Sequence, residues 1–121
     1  MTTRAAVLVV RDALNVMTSI TDVLRSEYVV REVADAFETV EALNEQRYAC
    51  VVCRISPGMR AEAFCRLVDD APRSLRPALV FVAGTDVSTD DLAYLHQVGA
   101  NWLVERAAPH NIVALIRSVS V

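Results

Sequence analysis

Five short apolar runs, each followed by a stretch with helical spacing, constrain the fold of this chain more than any other feature. The runs are Ala5 to Val10, Tyr28 to Val33, Ala49 to Cys53, Ala78 to Ala83 and Trp102 to Val104. They are short and rich in valine, as strands covered on both faces are. Between them, Leu14, Met17, Ile20 and Leu24 share one helical face, and Phe37, Val40 and Leu43 share another. Ala61, Phe64, Leu67 and Val68 mark a third helix, Leu92, Leu95 and Val98 a fourth, and Ile112, Leu115, Ile116 and Val119 a fifth. Parallel strands need crossovers, and crossovers are right-handed. The pattern therefore predicts an α/β, flavodoxin-like (βα)5 three-layer sandwich. Two strand orders suit its parallel five-stranded sheet, and the flavodoxin-like 2-1-3-4-5 is the one chosen, with two helices on one face and three on the other. That order sets the ends of the first and third strands side by side at the switch point, where such folds bind ligands.

Punctuation between the runs agrees. Ser88 with Asp91 three residues on forms a capping-box pattern. Pro109 suits the first turn of the last helix and Gly99 the end of the fourth. Pro72 and Pro77 bracket the connection into the fourth strand, where proline is tolerated.

A chain of 121 residues can bury one real core and is too short for two, so residues 1–121 read as a single domain. The formal net charge of -3 argues against a dedicated nucleic-acid surface. No apolar run reaches the roughly 20 residues of a membrane helix. The start, Met1-Thr2-Thr3-Arg4, leads straight into a strand-like run, which argues against a signal peptide. Three cysteines are an odd number, and Cys50 and Cys53 share one apolar run. This suits free thiols in a reducing cytoplasm better than a disulfide framework. Cys50 and Cys53 spell a CxxC, but side chains three apart on a strand point to opposite faces, which argues against a shared disulfide or metal.

The strand ends collect Arg11 and Asp12, then Cys53 and Arg54, then Val82 to Thr85, then Glu105 and Arg106. With Val7-Leu8-Val9-Val10 ahead of Arg11-Asp12, Pro57-Gly58-Met59 four residues past Cys53, Pro77 to Ala83, Gly99-Ala100 and the final helix, this layout resembles the receiver domain of bacterial two-component response regulators (CheY-like). The resemblance covers nearly the whole chain. It implies an acidic pair after strand one that holds magnesium and a phosphate-accepting aspartate at the end of strand three. It also implies a serine or threonine ending strand four and a lysine ending strand five. This chain carries Arg11 and Asp12, Cys53, Val82 and Glu105 there, so only Asp12 matches. The last position assumes one residue fewer after Gly99-Ala100, which sets Trp102 at the family's strand-five aromatic. Without that gap the position falls on Arg106.

These departures share a direction. Magnesium is bound through hard carboxylate oxygens, and Arg11 and Cys53 each remove one. Val82 has no hydroxyl, and Glu105 would repel the phosphoryl group that a lysine attracts. The expectation is a phosphorylation-independent pseudo-receiver, not an enzyme, without metal or cofactor, cytoplasmic and acting on a protein partner: a signalling protein or an attached output or kinase domain. Direct nucleic-acid and membrane contacts are not expected. The resemblance implies partner binding or homodimerisation through helix four, strand five and helix five, which present Tyr94, His96, Gln97, Trp102, His110 and Asn111. The reversed polarity of Arg11 and Glu105 predicts that Arg11 pairs with Glu105 or Asp12 across the mouth, within about 4 Å.

Plainer readings stand beside these. Asp12 suits a helix N-cap. Cys53 suits a small buried residue. His96 and His110 suit solvated helix faces, and Trp102 suits edge-strand packing. A reading from another class makes Cys53 a thiol-based redox or ligand sensor, its pKa lowered by Arg11 and Arg54. A flavodoxin-like enzyme is a third. The loop Arg11-Asp12-Ala13-Leu14-Asn15 lacks the small hydroxyl and glycine residues of a phosphate cradle.

Overall fold

A computed structural model describes residues 4–12, 17–57, 59–70, 77–107 and 109–120. Leu14, Ala13 and Asn15 of the first loop and helix, Gly58 and Pro72 lie outside the described residues. The chain alternates β1 (Ala6–Val10), α1 (Thr18–Leu24), β2 (Val29–Val33), α2 (Ala36–Glu45), β3 (Cys50–Ile55), α3 (Ala61–Asp69), β4 (Ala78–Ala83), α4 (Thr89–Gln97), β5 (Asn101–Val104) and α5 (Pro109–Val119). All strand pairs are parallel and the order is β2-β1-β3-β4-β5, as the alternation predicts.

The sheet divides the core into two layers. On one face Leu8, Val10, Val51, Cys53, Ile55 and Phe81 meet α2, α3 and α4 through Leu43, Phe64, Val68 and Leu95. On the other Val7, Val9, Cys50, Val52, Val80 and Val82 meet α1 and α5 through Ile20, Leu24, Ile112 and Ile116. The alternation of side chains along β3 thus separates Cys50 from Cys53, and both thiols are free.

Helix ends follow the sequence signals. Ser88 caps α4, its hydroxyl accepting from Asp91 N–H at 3.1 Å. Gly99, at φ 66°, lets Ala100 N–H reach Leu95 O at 3.0 Å and its own N–H reach His96 O at 3.2 Å, the paired bonds of a Schellman end. Pro109 opens α5.

Three expectations need correction. β3 runs on to Ile55, so Cys53 and Arg54 lie inside the strand, where Arg54 pairs with Val82 and Ile55 with Ala83. Phe37 is 73% exposed. At about 100° per residue, the face set by Ala36, Thr39, Ala42 and Leu43 leaves Phe37 on the opposite side of α2. Val98 is likewise exposed, because α4 ends at Gln97 and Val98 falls in the turn.

Candidate functional site

The C-terminal ends of β1, β3, β4 and β5 form one mouth, and a buried arginine sits at its centre. Strand alternation puts Cys53 toward α2 and α3, so its neighbour Arg54 leans the other way, with the parity of Val52. The Arg54 side chain is only 4% exposed. Its Nε donates to Glu105 Oε2 at 2.9 Å and its Nη2 donates to Asp86 Oδ1 at 3.0 Å. Thr85 N–H approaches the second oxygen of Glu105 at 3.4 Å. Burial is the largest single influence on the guanidinium and opposes its charge. The hydrogen bond and charge of Glu105, with the charges of Asp86 and Asp12, outweigh burial and hold Arg54 protonated. Beside it opens a cavity of about 360 Å3, lined by Ala83, Gly84, Thr85, Val104, Glu105 and Arg106.

The cation across from Glu105 is therefore Arg54, not Arg11. Arg11 is exposed, and its side chain has no ion pair among the described residues. Its backbone N–H donates to Val33 O at 2.8 Å, tying the start of the loop to β2. The expected Arg11 pairing is corrected for a simple reason. Arg11 follows the end of β1 and projects into solvent, whereas Arg54 is carried into the mouth by the extra length of β3. Asp12 accepts from Met17 N–H at 3.3 Å, five residues on, and the intervening residues on which its N-cap reading depends lie outside the described residues.

Cys53 is 1% exposed, and its Sγ contacts Arg54 O at 3.6 Å. Burial pushes its thiol up, and the charges of Cys65 and Asp12 push the same way. That is opposite to the shift a reactive thiolate needs, so the sensor reading of Cys53 finds no support. Val82 is fully buried in the α1–α5 layer and presents no polar atom to the mouth.

A magnesium ion does not fit these residues. Among the described residues no group of three or more His, Cys, Asp or Glu is placed to hold a metal. Two of the mouth's carboxylates are already turned onto a fixed guanidinium.

Of the interaction residues expected from the sequence, Tyr94 turns toward α3, where its hydroxyl bonds with Cys65, and the others lie on α4, on β5 and at the start of α5. His96 and Gln97 are exposed on α4, Tyr94 is half-buried there, and His110 and Asn111 are exposed at the start of α5. Trp102 is half-buried against the α2–α4 layer, with the His96 ring edge-on at 5.5 Å. Trp102 is thus packing and surface at once, and His96 has an aromatic neighbour rather than water alone. Val98 and Val104 are also exposed. A second contact fixes α4 from behind. Asp91 is 2% exposed, accepts from Arg60 Nε at 2.8 Å and from Ala61 N–H at 3.3 Å, and so joins the starts of α3 and α4.

Sequence reasoning named Arg54 only as a strand-end neighbour of Cys53 and missed its pairing with Glu105 and Asp86. The available signal was Ile55, an apolar residue directly after Arg54, which extends the strand and encloses the arginine.

No family model matches the sequence, and no curated protein matches it significantly. Solved structures do match, over almost the full length. A candidate response regulator from Chloroflexus aurantiacus superposes with a TM-score of 0.81 at 19% identity, covering 98% of each chain. The chemotaxis response regulator CheY4 of Vibrio cholerae gives 0.77 at 22%, covering 97% of this chain and 99% of that one. The receiver domain of a Pseudomonas aeruginosa sensor histidine kinase, with magnesium in its active-site cleft, gives 0.79 at 20% and covers 98% of each. The fold is that of a receiver domain. At these identities the likeness is one of fold.

Proposed function

We propose that this chain is a phosphorylation-independent receiver module of two-component signalling that works by docking a protein partner rather than by catalysis. The observation that carries the reading is the Arg54–Glu105 pair, which occupies the receiver mouth with a charge fixed to β3. A phosphoryl group arriving there would meet no carboxylate acceptor at Cys53, no hydroxyl at Val82 and a carboxylate at Glu105. The partner would be a signalling protein or an attached output or kinase domain in the cytoplasm. It would meet the α4–β5–α5 edge through Tyr94, His96, Gln97, Trp102, His110 and Asn111, which is also where a homodimer would form. Support comes from exposed His96, Gln97, His110 and Asn111, with exposed Val98 and Val104, on these elements. Half-buried Trp102 is the kind of aromatic anchor on which protein interfaces concentrate their energy. No helix among the described residues is long and apolar enough to cross a membrane.

The test is incubation with acetyl phosphate and magnesium, read by intact-mass spectrometry and Trp102 fluorescence. The expected result is no phosphoryl mass and no magnesium-dependent fluorescence change. A magnesium-dependent phosphoadduct would overturn the reading.

A further inference from the structure

We propose that Arg54 is a built-in cation that clamps the ends of β3, β4 and β5 and holds the α4–β5 edge in one conformation. The importance of that edge rests on the functional reading above; the clamp itself rests on geometry.

The contacts close a ring. From β3, Arg54 Nη2 reaches Asp86 Oδ1 at 3.0 Å. Asp86 lies in the β4–α4 connection, two residues ahead of Ser88, the N-cap of α4. Near the other end of α4, His96 meets Trp102 of β5 edge-on at 5.5 Å. Three residues past Trp102, Glu105 accepts from Arg54 Nε at 2.9 Å and completes the circuit. Thr85 N–H, at 3.4 Å from Glu105 Oε1, adds a rung between the β4–α4 connection and the end of β5.

The seat of the guanidinium is shaped for it. A Cβ on Gly84 would stand 2.6 Å from Arg54 Cζ and 2.6 Å from Asp86 Oδ1. Glycine is therefore the residue that lets the two partners converge against the chain. Charge-assisted bonds to two segments make displacement of either one costly, because a buried guanidinium would lose a partner. A bound ion or phosphoryl group can leave such a mouth. This cation cannot, since it is part of β3. Nothing else at the mouth needs to bind for α4 and β5 to stay in register.

Hydrogen exchange of the full chain tests the clamp, comparing wild type, Arg54→Met and Glu105→Gln. In Arg54→Met, amides of residues 84–88 and 101–105 should exchange about tenfold faster or more, while those of 29–33 and 36–45 stay within about twofold. Glu105→Gln keeps the guanidinium and the shape of its partner, and should show the same pattern at smaller amplitude. If Arg54→Met does not fold, Glu105→Gln decides by the same pattern. Unchanged exchange at residues 84–88 and 101–105, or an equal rise in every element, overturns the clamp. No phosphodonor enters this measurement. A phosphoadduct in the earlier test would remove the functional reading and leave the clamp standing.

Discussion

Gly84 and Arg54 share one space: the guanidinium fills the volume that a side chain at residue 84 would need. The constraint is purely steric, since the crowding atoms include the planar guanidinium and the Asp86 carboxylate, both already held by ion pairing. A methyl group there must push one of them out of place. Gly84→Ala should therefore destabilise the fold by about 1–3 kcal/mol, the usual cost of overpacking. Combining it with Arg54→Ala should cost less than the sum of the two single changes, because the methyl then meets open space. Urea denaturation of the four proteins reads the coupling. Additive losses would mean that the two residues do not compete.

Phe37 offers a contrast within one helix. It is 73% exposed, whereas Leu43 on the same helix is fully buried. Phe37→Ser should change stability by no more than about 0.5 kcal/mol. Leu43→Ala should cost about 2–5 kcal/mol through lost burial and a residual cavity. Equal losses in chemical denaturation would show that Phe37 is covered in solution.

The three thiols should be ranked by burial. Burial pushes the Cys50 thiol up to about 12, and Cys53 is pushed up further still. Cys65 is half-buried on α3. With iodoacetamide, peptide mapping should find Cys65 modified first. Cys53 should react roughly a hundredfold more slowly than it does in the urea-unfolded chain, since opening must precede attack. Modification of Cys53 at the unfolded rate would revive the thiol-sensor reading.

Acid should weaken the link between the end of α5 and the start of β2. Arg117 Nε donates to Glu27 Oε2 at 2.7 Å, and its Nη2 donates to Oε1. That hydrogen bonding is the largest influence and, together with the guanidinium charge, outweighs the opposing effect of burial, so the Glu27 pKa lies below its usual 4.5. A depressed carboxylate stabilises the fold above its unfolded pKa and loses that contribution as pH falls through the lower folded value. The melting temperatures of wild type and Glu27→Gln should therefore differ at about pH 7 and converge toward about pH 3. A gap that persists unchanged in acid would mean that the contact does not depend on the carboxylate charge.

Much of the fold was legible because its signals are local. Valine-rich runs separated by helical periodicity dictate alternating layers, and the Ser88 cap, Gly99 turn and Pro109 start each act within a few residues. Parity along β3 correctly sent Cys50 and Cys53 to opposite faces. Local periodicity was weaker for α2. Phe37, Val40 and Leu43 fit a helical face, but Ala36, Thr39 and Ala42 fit a better-buried one nearby. Thr39 and Ala42 are buried with Leu43, and Phe37 is left exposed.

The sequence by itself pointed to the strand order and the two layers, and its resemblance to receiver domains set the expectation that Cys53, Val82 and Glu105 stand where that family has an acceptor, a hydroxyl and a lysine. Which arginine answers Glu105 was decided only in three dimensions. Arg11, Arg54 and Arg106 all lie near strand ends in sequence, and nothing local separates them. Pairing of Ile55 with Ala83 extends β3, strand parity turns Arg54 away from the Cys53 face, and Gly84 leaves it a seat. Its partners Asp86 and Glu105 stand 32 and 51 residues away along the chain, brought together by neighbouring strands of one sheet. Contacts at that separation follow from register and strand length, which the spacing of apolar residues does not encode.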